Sequence, residues 1–214
     1  MSVVNVRESK KRDKEARIRA AAMELIRRHG FAATTTAAVA KRAGIATGTL
    51  FRYVKTKEEL LDLVFAGEIA AVVEQAFATL PKRADLVTRL VHLYGALLDY
   101  YQRDIALARV LVAEAILPRT DARSLPLTVD FLQRLSRMIT VEQAEGRLDP
   151  EVNPVGLAFD SFALYVAGVL AVVNQMSRAP EARLTLERSL EIHFRGLRKE
   201  TPARRPSGPK RSKR

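Results

Sequence analysis

Apolar residues in this chain recur at three- and four-residue spacing almost from end to end, and nowhere do apolar and polar residues alternate for long enough to make a half-buried strand. A chain so patterned buries its apolar surface by laying helices on helices. The expected class is all-α, with about nine helices. At 214 residues, 48% of them hydrophobic, the chain can build a sizeable core.

Glycine, proline and threonine punctuate that pattern. A first helix is expected over about 11–29, with Ile18, Ala22, Leu25 and Ile26 on one face. Gly30 ends it in a left-handed conformation, and Phe31 folds back onto Ile26. Thr34, Thr35 and Thr36 read as the N-cap of a short helix through Ala43, which Gly44 closes. A third short helix follows over about 47–53. Thr56-Lys57-Glu58-Glu59 is a Thr-x-x-Glu capping box that opens a long helix to about Leu80. Pro81 breaks that helix, four more are expected at about 84–102, 104–117, 124–145 and 154–177, and a last one begins near Pro180. From Lys199 onward Pro, Ser, Gly, Lys and Arg leave nothing to pack, which predicts a disordered tail. The division expected is 10–57, 58–199 and a basic tail, 200–214.

Charge follows the same division. The formal balance is +12, but residues 1–58 hold 14 Lys/Arg against 5 Asp/Glu and residues 200–214 hold 6 against 1. The middle is nearly neutral at −2. Positive charge gathered at the ends suits a polyanion, and a neutral apolar middle suits packing and ligand enclosure. There is no cysteine, so thiol chemistry, thiolate metal sites and disulfides are excluded. His29, His92 and His193 are far apart, and no His-Glu-x-x-His or Gly-rich phosphate loop is present. No cofactor and no enzyme activity is expected. The first nineteen residues are polar, and the longest apolar run, Ser161 to Val173, is expected to be a buried helix too short to cross a bilayer, which makes the expected location cytoplasmic.

Three short helices, the second and third joined through Gly44, outline a helix-turn-helix. The residues sharpen the outline. Gly30-Phe31-Ala32-Ala33-Thr34-Thr35-Thr36, Val39-Ala40, Ala43-Gly44-Ile45 and Gly48-Thr49-Leu50-Phe51-Arg52-Tyr53-Val54-Lys55-Thr56-Lys57 resemble the amino-terminal domain of the tetracycline-repressor (TetR) family. The resemblance implies a DNA-binding regulator, by default a repressor released by a small-molecule effector. It implies phosphate contacts from Thr36, Thr49, Tyr53 and Lys57, with Arg52 in the same segment. Base reading would fall to Thr47, Gly48 and Thr49, with Ala37 and Lys41 at the edge. Phe51 replaces the family's usual tyrosine and is expected to pack. Ala46 replaces a frequent capping serine, so Thr47 is a candidate cap in its place.

In the larger domain Ala163, Ala167 and Ala171, with Gly168 beside them, form a small-residue seam. By resemblance, the helices at about 154–177 and 180–198 pair with those of a second copy as a four-helix homodimer interface. Two copies fit an inverted-repeat operator in double-stranded DNA, with half-sites about 34 Å apart. Tyr94, Tyr100, Tyr101, Glu114, Asp160, Tyr165 and Asn174 are polar groups in apolar stretches and are the candidates for an effector pocket. A lipid carrier and a non-specific architectural DNA binder are the competing classes. The carrier leaves residues 30–60 unexplained.

Overall fold

The computed structural model describes residues 3–116 and 124–197. Among the described residues there are nine helices and no strand, as the periodicity requires. They are α1 (Val3–Ala33), α2 (Thr36–Arg42), α3 (Thr47–Leu50), α4 (Lys57–Ala78), α5 (Leu86–Gln102), α6 (Ile105–Ile116), α7 (Ser124–Ala144), α8 (Pro154–Val173) and α9 (Ala179–Arg195).

Helix starts follow side-chain chemistry. Thr35 accepts from Ala38 N at 3.1 Å, Thr56 from Glu59 N at 3.1 Å, Asp85 from Thr88 N at 2.8 Å and Asn153 from Val155 N at 2.9 Å. Each satisfies an amide that the helix cannot. The expected capping box is displaced by one residue, because Glu59 returns its carboxylate to Lys55 N at 2.6 Å.

Several boundaries differ from expectation. Helix α1 starts at Val3, well before residue 11, so the basic residues Lys10, Lys11, Arg12 and Lys14 stand on continuous helix. Gly30 breaks α1 with φ 79°, as expected, but with ψ 159°. That is extended backbone of a kind only glycine adopts readily, and it lets a further turn run to Ala33. Helix α8 stops at Val173 because Asn174 turns its side chain onto Leu170 O and Gln175 takes φ 59°.

Helix α5 is the central strut, packed by α9, α4 and α8, with Leu90, Leu93, Tyr94 and Leu98 wholly enclosed. Glu142 on α7, almost entirely buried, accepts Arg89 Nη1 from α5 at 3.2 Å and Arg147 Nη2 at 2.9 Å. This ties α5, α7 and the following loop with charge-assisted bonds where two apolar faces would otherwise slide. Helix α1 packs on α2, α4 and α6, so the amino-terminal helices rest directly on the larger bundle.

One expectation about α8 is overturned. At 20 residues it is the one described helix long and apolar enough to cross a membrane, because Pro154 to Phe159 extend the apolar run on the other side of Asp160. One face, with Leu157, Ser161, Tyr165, Val169 and Val172, is buried against the bundle, while Val155 and Phe159 are more than 60% exposed. The small-residue seam divides likewise. Ala163 and Ala167 face out, whereas a Cβ on Gly168 would touch Leu98 at 3.7 Å.

Candidate nucleic-acid interface

Helices α2 and α3 are held by a small buried cluster. Val39, Ala40, Ala43, Leu50 and Val54 are all inaccessible or nearly so and join Ile18, Ala22 and Ile26 of α1. The turn between them closes through Ile45 N donating to Ala40 O at 3.0 Å, with Gly44 at φ 66°. On α2 that burial leaves Ala37 and Lys41 exposed and Thr36 half-buried on the other side. Arg42 of α2 meets Glu24 of α1 at 2.6 Å, which fixes α2 against α1 from outside the core.

Helix α3 is one turn long, shorter than expected, and continues as hydrogen-bonded turns in which Tyr53 N and Val54 N donate to Leu50 O at 2.8 and 3.1 Å. Thr47 and Gly48 are exposed at its start and Thr49 is half-buried. Ala46 occupies the N-cap position without a side-chain bond, so Thr47 is the first helical residue and its hydroxyl is not consumed as a cap. A Cβ on Gly48 would meet nothing within 4 Å. The chain's own packing therefore does not require glycine there.

Two of the expected contacts take another form. Lys57 Nζ donates to Ala32 O at 2.7 Å and lies 4.5 Å from the centroid of the Phe31 ring. The break at Gly30 leaves carbonyls without helical partners, and the lysine answers one of them. An ammonium has three protons, so reach toward a phosphate remains. Phe51, expected to pack, is 45% exposed. Leu50 and Val54, four residues apart, take the core-facing positions, and Phe51 turns outward beside the exposed Arg52. Tyr53 is half-buried against the cluster.

The candidates for an effector pocket separate into three groups. Tyr94, Tyr101 and Tyr165 come together but fill their space. Tyr94 stacks on Tyr165 at 4.8 Å between centroids, and its hydroxyl lies 2.9 Å from Ser161 Oγ. Ser161 spends its proton on Ala158 O at 2.8 Å, so Tyr94 is the donor. Burial is the main cause that pushes all three phenols above their usual range. Asp160 and Asn174 do not join them. Asp160 is exposed on the outer face of α8, 3.6 Å from His193, and Asn174 is an exposed helix stop. The Glu114 side chain lies outside the described residues.

Tyr100 opens elsewhere. With Tyr101 it lines a half-open cleft of about 250 Å³ where α1, α4, α5 and α6 meet. Its hydroxyl donates to Glu68 Oε2 at 2.8 Å, and the other oxygen of Glu68 lies 3.7 Å from Arg27 Nη2. Arg27, Glu68 and Arg103 of this cleft carry no signal in sequence, since each reads as an ordinary exposed charge on a helix or at its end.

Comparison with known proteins agrees with this geometry. Residues 18–64 match the family model of the bacterial regulatory proteins, tetR family. Over 80 residues, 37% of this chain, it is 31% identical to the fatty acid metabolism regulator protein of Bacillus subtilis (strain 168). The matched stretch spans about two fifths (41%) of that relative's length. Among solved structures, FadR of Thermus thermophilus, a TetR family transcriptional repressor in complex with lauroyl-CoA, superposes with a TM-score of 0.70 at 24% identity, over 88% of this chain and 98% of that one. The transcriptional regulator FadR of Bacillus subtilis in complex with stearoyl-CoA gives 0.66 at 20% identity, over 85% and 98%. These two share the fold along nearly their whole length. The amino-terminal helices of this chain thus match the bacterial regulatory proteins of the tetR family, and the chain as a whole shares the fold of the two solved regulators.

Proposed function

We propose that this chain is a sequence-specific DNA-binding transcriptional regulator that acts as a homodimer in the cytoplasm and represses until a small-molecule effector binds its helical domain. The observation that carries the reading is the presentation of Thr47, Gly48 and Thr49. They stand at the outer start of α3, on a turn whose inner residues, Leu50 and Val54, are fully buried. A rigid mount with small polar side chains and no bulk at its centre suits entry into a major groove. Lys41 and Arg52 flank it with exposed positive charge, Ala37 shares the exposed face of Lys41, and Thr36, Tyr53 and Lys57, each half-buried, are proposed to reach phosphates from the edge of that face.

Residues 10–57 form the reading head, and 58–199 form the effector and dimerisation domain. The exposed apolar side chains of α8 and α9 support pairing through these helices: Val155 and Phe159 on one, Leu184 and Ile192 on the other, each more than half exposed. Apolar surface of that extent on adjacent helices is what a four-helix interface covers. Lauroyl-CoA and stearoyl-CoA, held by the two FadR structures, are the first effectors to assay.

The test is selection of the purified protein against random double-stranded DNA at moderate salt, repeated with Thr49→Ala and Tyr53→Ala. An enriched inverted repeat, weakened in both variants, is the expected result. Salt-sensitive binding without a consensus, equal in the variants, would replace this reading with the architectural one.

A further inference from the structure

The cleft between α1, α4, α5 and α6 has a chemistry of its own. Its floor is apolar, built from Val72 of α4 and from Leu107 and Leu111 of α6. Its rim carries two carboxylates and two guanidiniums, and the two signs are not equally available. Asp104 is committed to α6, where its Oδ1 accepts Leu107 N at 3.0 Å. Glu68 is committed to Tyr100, whose hydroxyl burial keeps protonated and therefore able to donate. Arg103, by contrast, is exposed and makes no side-chain hydrogen bond or ion pair among the described residues. Arg27 is held only by the 3.7 Å approach to Glu68, with more than half of its side chain exposed. A molecule entering the cleft meets guanidinium N–H donors with no partner or only a distant one at the rim, and hydrocarbon below.

We propose that this cleft is a ligand site for a small amphipathic anion, with a carboxylate or phosphate head received by Arg27 and Arg103 and an apolar body laid over Val72, Leu107 and Leu111. The volume of about 250 Å³ suits a compact ligand or the first part of a longer chain. The head group competes with Glu68 for Arg27. That competition is the route to the reading head, because Arg27 follows Ile26, whose side chain lies in the cluster that mounts α2 and α3. Drawing Arg27 toward a ligand frees one of three polar ties between α1 and α4. The other two, Arg19 Nε donating to Leu63 O at 3.1 Å and Lys57 Nζ donating to Ala32 O at 2.7 Å, keep the two helices together as it moves. The regulatory consequence rests on the repressor reading above, whereas the binding site does not.

The experiment is calorimetric titration of the full chain, without DNA, with decanoate, decyl phosphate and decanol, each below its aggregation concentration. Saturable one-to-one binding of at least one anion, with decanol much weaker, is expected, and the preferred anion identifies the head group. Arg103→Ala and Arg27→Ala each weaken that binding about tenfold, the loss of one charge-assisted bond. Glu68→Gln strengthens it several-fold, because the competing charge is gone while a polar group of the same shape remains. General damage to the fold cannot strengthen binding, so this variant separates the proposal from misfolding. Equal binding of decanol, absence of saturation, or anion binding that none of the three substitutions changes would overturn the site. A failed operator selection would leave the titration result standing, and an unresponsive cleft would leave the DNA result standing.

Discussion

The rings of Tyr94 and Tyr165 lie 4.8 Å apart and only 13° from parallel, joining α5 to α8 at the centre of the bundle. Tyr101 is buried with them, and burial is the main cause that raises all three phenols above the ordinary value of 10.0. A group whose folded pKa is raised above its unfolded one contributes stability that is complete below the unfolded pKa and is lost as pH rises through it. The bundle should therefore be indifferent to these groups up to about pH 10 and then lose about 1.4 kcal/mol per pH unit for each phenol that titrates only after unfolding. Phenolate absorbance recorded against helical circular dichroism checks this. The two signals should change together for the buried phenols, and phenolate formation in a still-folded protein would contradict the enclosure.

Glu142 offers a second test of the bundle, independent of the aromatic cluster. Its carboxylate is only 5% exposed and faces Arg89, itself 18% exposed. Replacing it by alanine strands the Arg89 guanidinium in a low-dielectric site, at a cost of about 3–5 kcal/mol. Glu142→Gln retains an acceptor and should lose less. Urea unfolding should show a lower midpoint with an unchanged slope for Glu142→Ala, and a smaller shift for Glu142→Gln.

Gly48 separates folding from recognition. A Cβ there meets nothing in the chain, and alanine is the better residue within a helix by about 0.5–1 kcal/mol. Gly48→Ala should therefore melt at the same temperature or higher. Operator binding should nevertheless weaken by about 1–3 kcal/mol, the scale of one disturbed base contact, because the methyl group occupies space that the groove floor takes. Unchanged binding, measured by fluorescence anisotropy on the selected operator, would move base reading away from the start of α3.

These tests lie on both sides of what the sequence made readable. Gly44, Thr35 and Thr56 are local devices: a positive φ or a hydroxyl on an amide works within a few residues, so their roles were visible in the chain's order. The helix-turn-helix was readable for the same reason. Asp160 and Asn174 were not, because a polar residue in an apolar stretch can face the bundle or its outside, and only the rotation of α8 decides. That rotation is set by α5, α7 and α9, all distant in sequence. Tyr94, Tyr101 and Tyr165 do meet, but as packed rings with the Tyr94 hydroxyl bonded to Ser161, and they fill the volume that a pocket would need. Arg27, Glu68 and Tyr100 stand on three different helices, so their meeting could not be read from spacing at all.

Phe51 is the departure from the family pattern whose consequence can be measured most directly. A buried phenylalanine would have made the usual tyrosine irrelevant here, but the ring is 45% exposed, immediately after α3 and next to Arg52. Restoring the hydroxyl with Phe51→Tyr adds a donor on the outer side of the reading head without disturbing the core, so the thermal midpoint should stay where it is. If that side faces the phosphate backbone, the new hydrogen bond should tighten DNA binding by about 0.5–1.5 kcal/mol. The gain should be nearly equal on operator and unrelated DNA, since phosphate contacts position without specifying. It should also leave the salt dependence unchanged, because a neutral phenol releases no counterion. Affinity unaltered on both DNAs would turn Phe51 away from the duplex and leave Lys41 and Arg52 as the flanking contacts. A gain on the operator alone would make the residue a reader of bases.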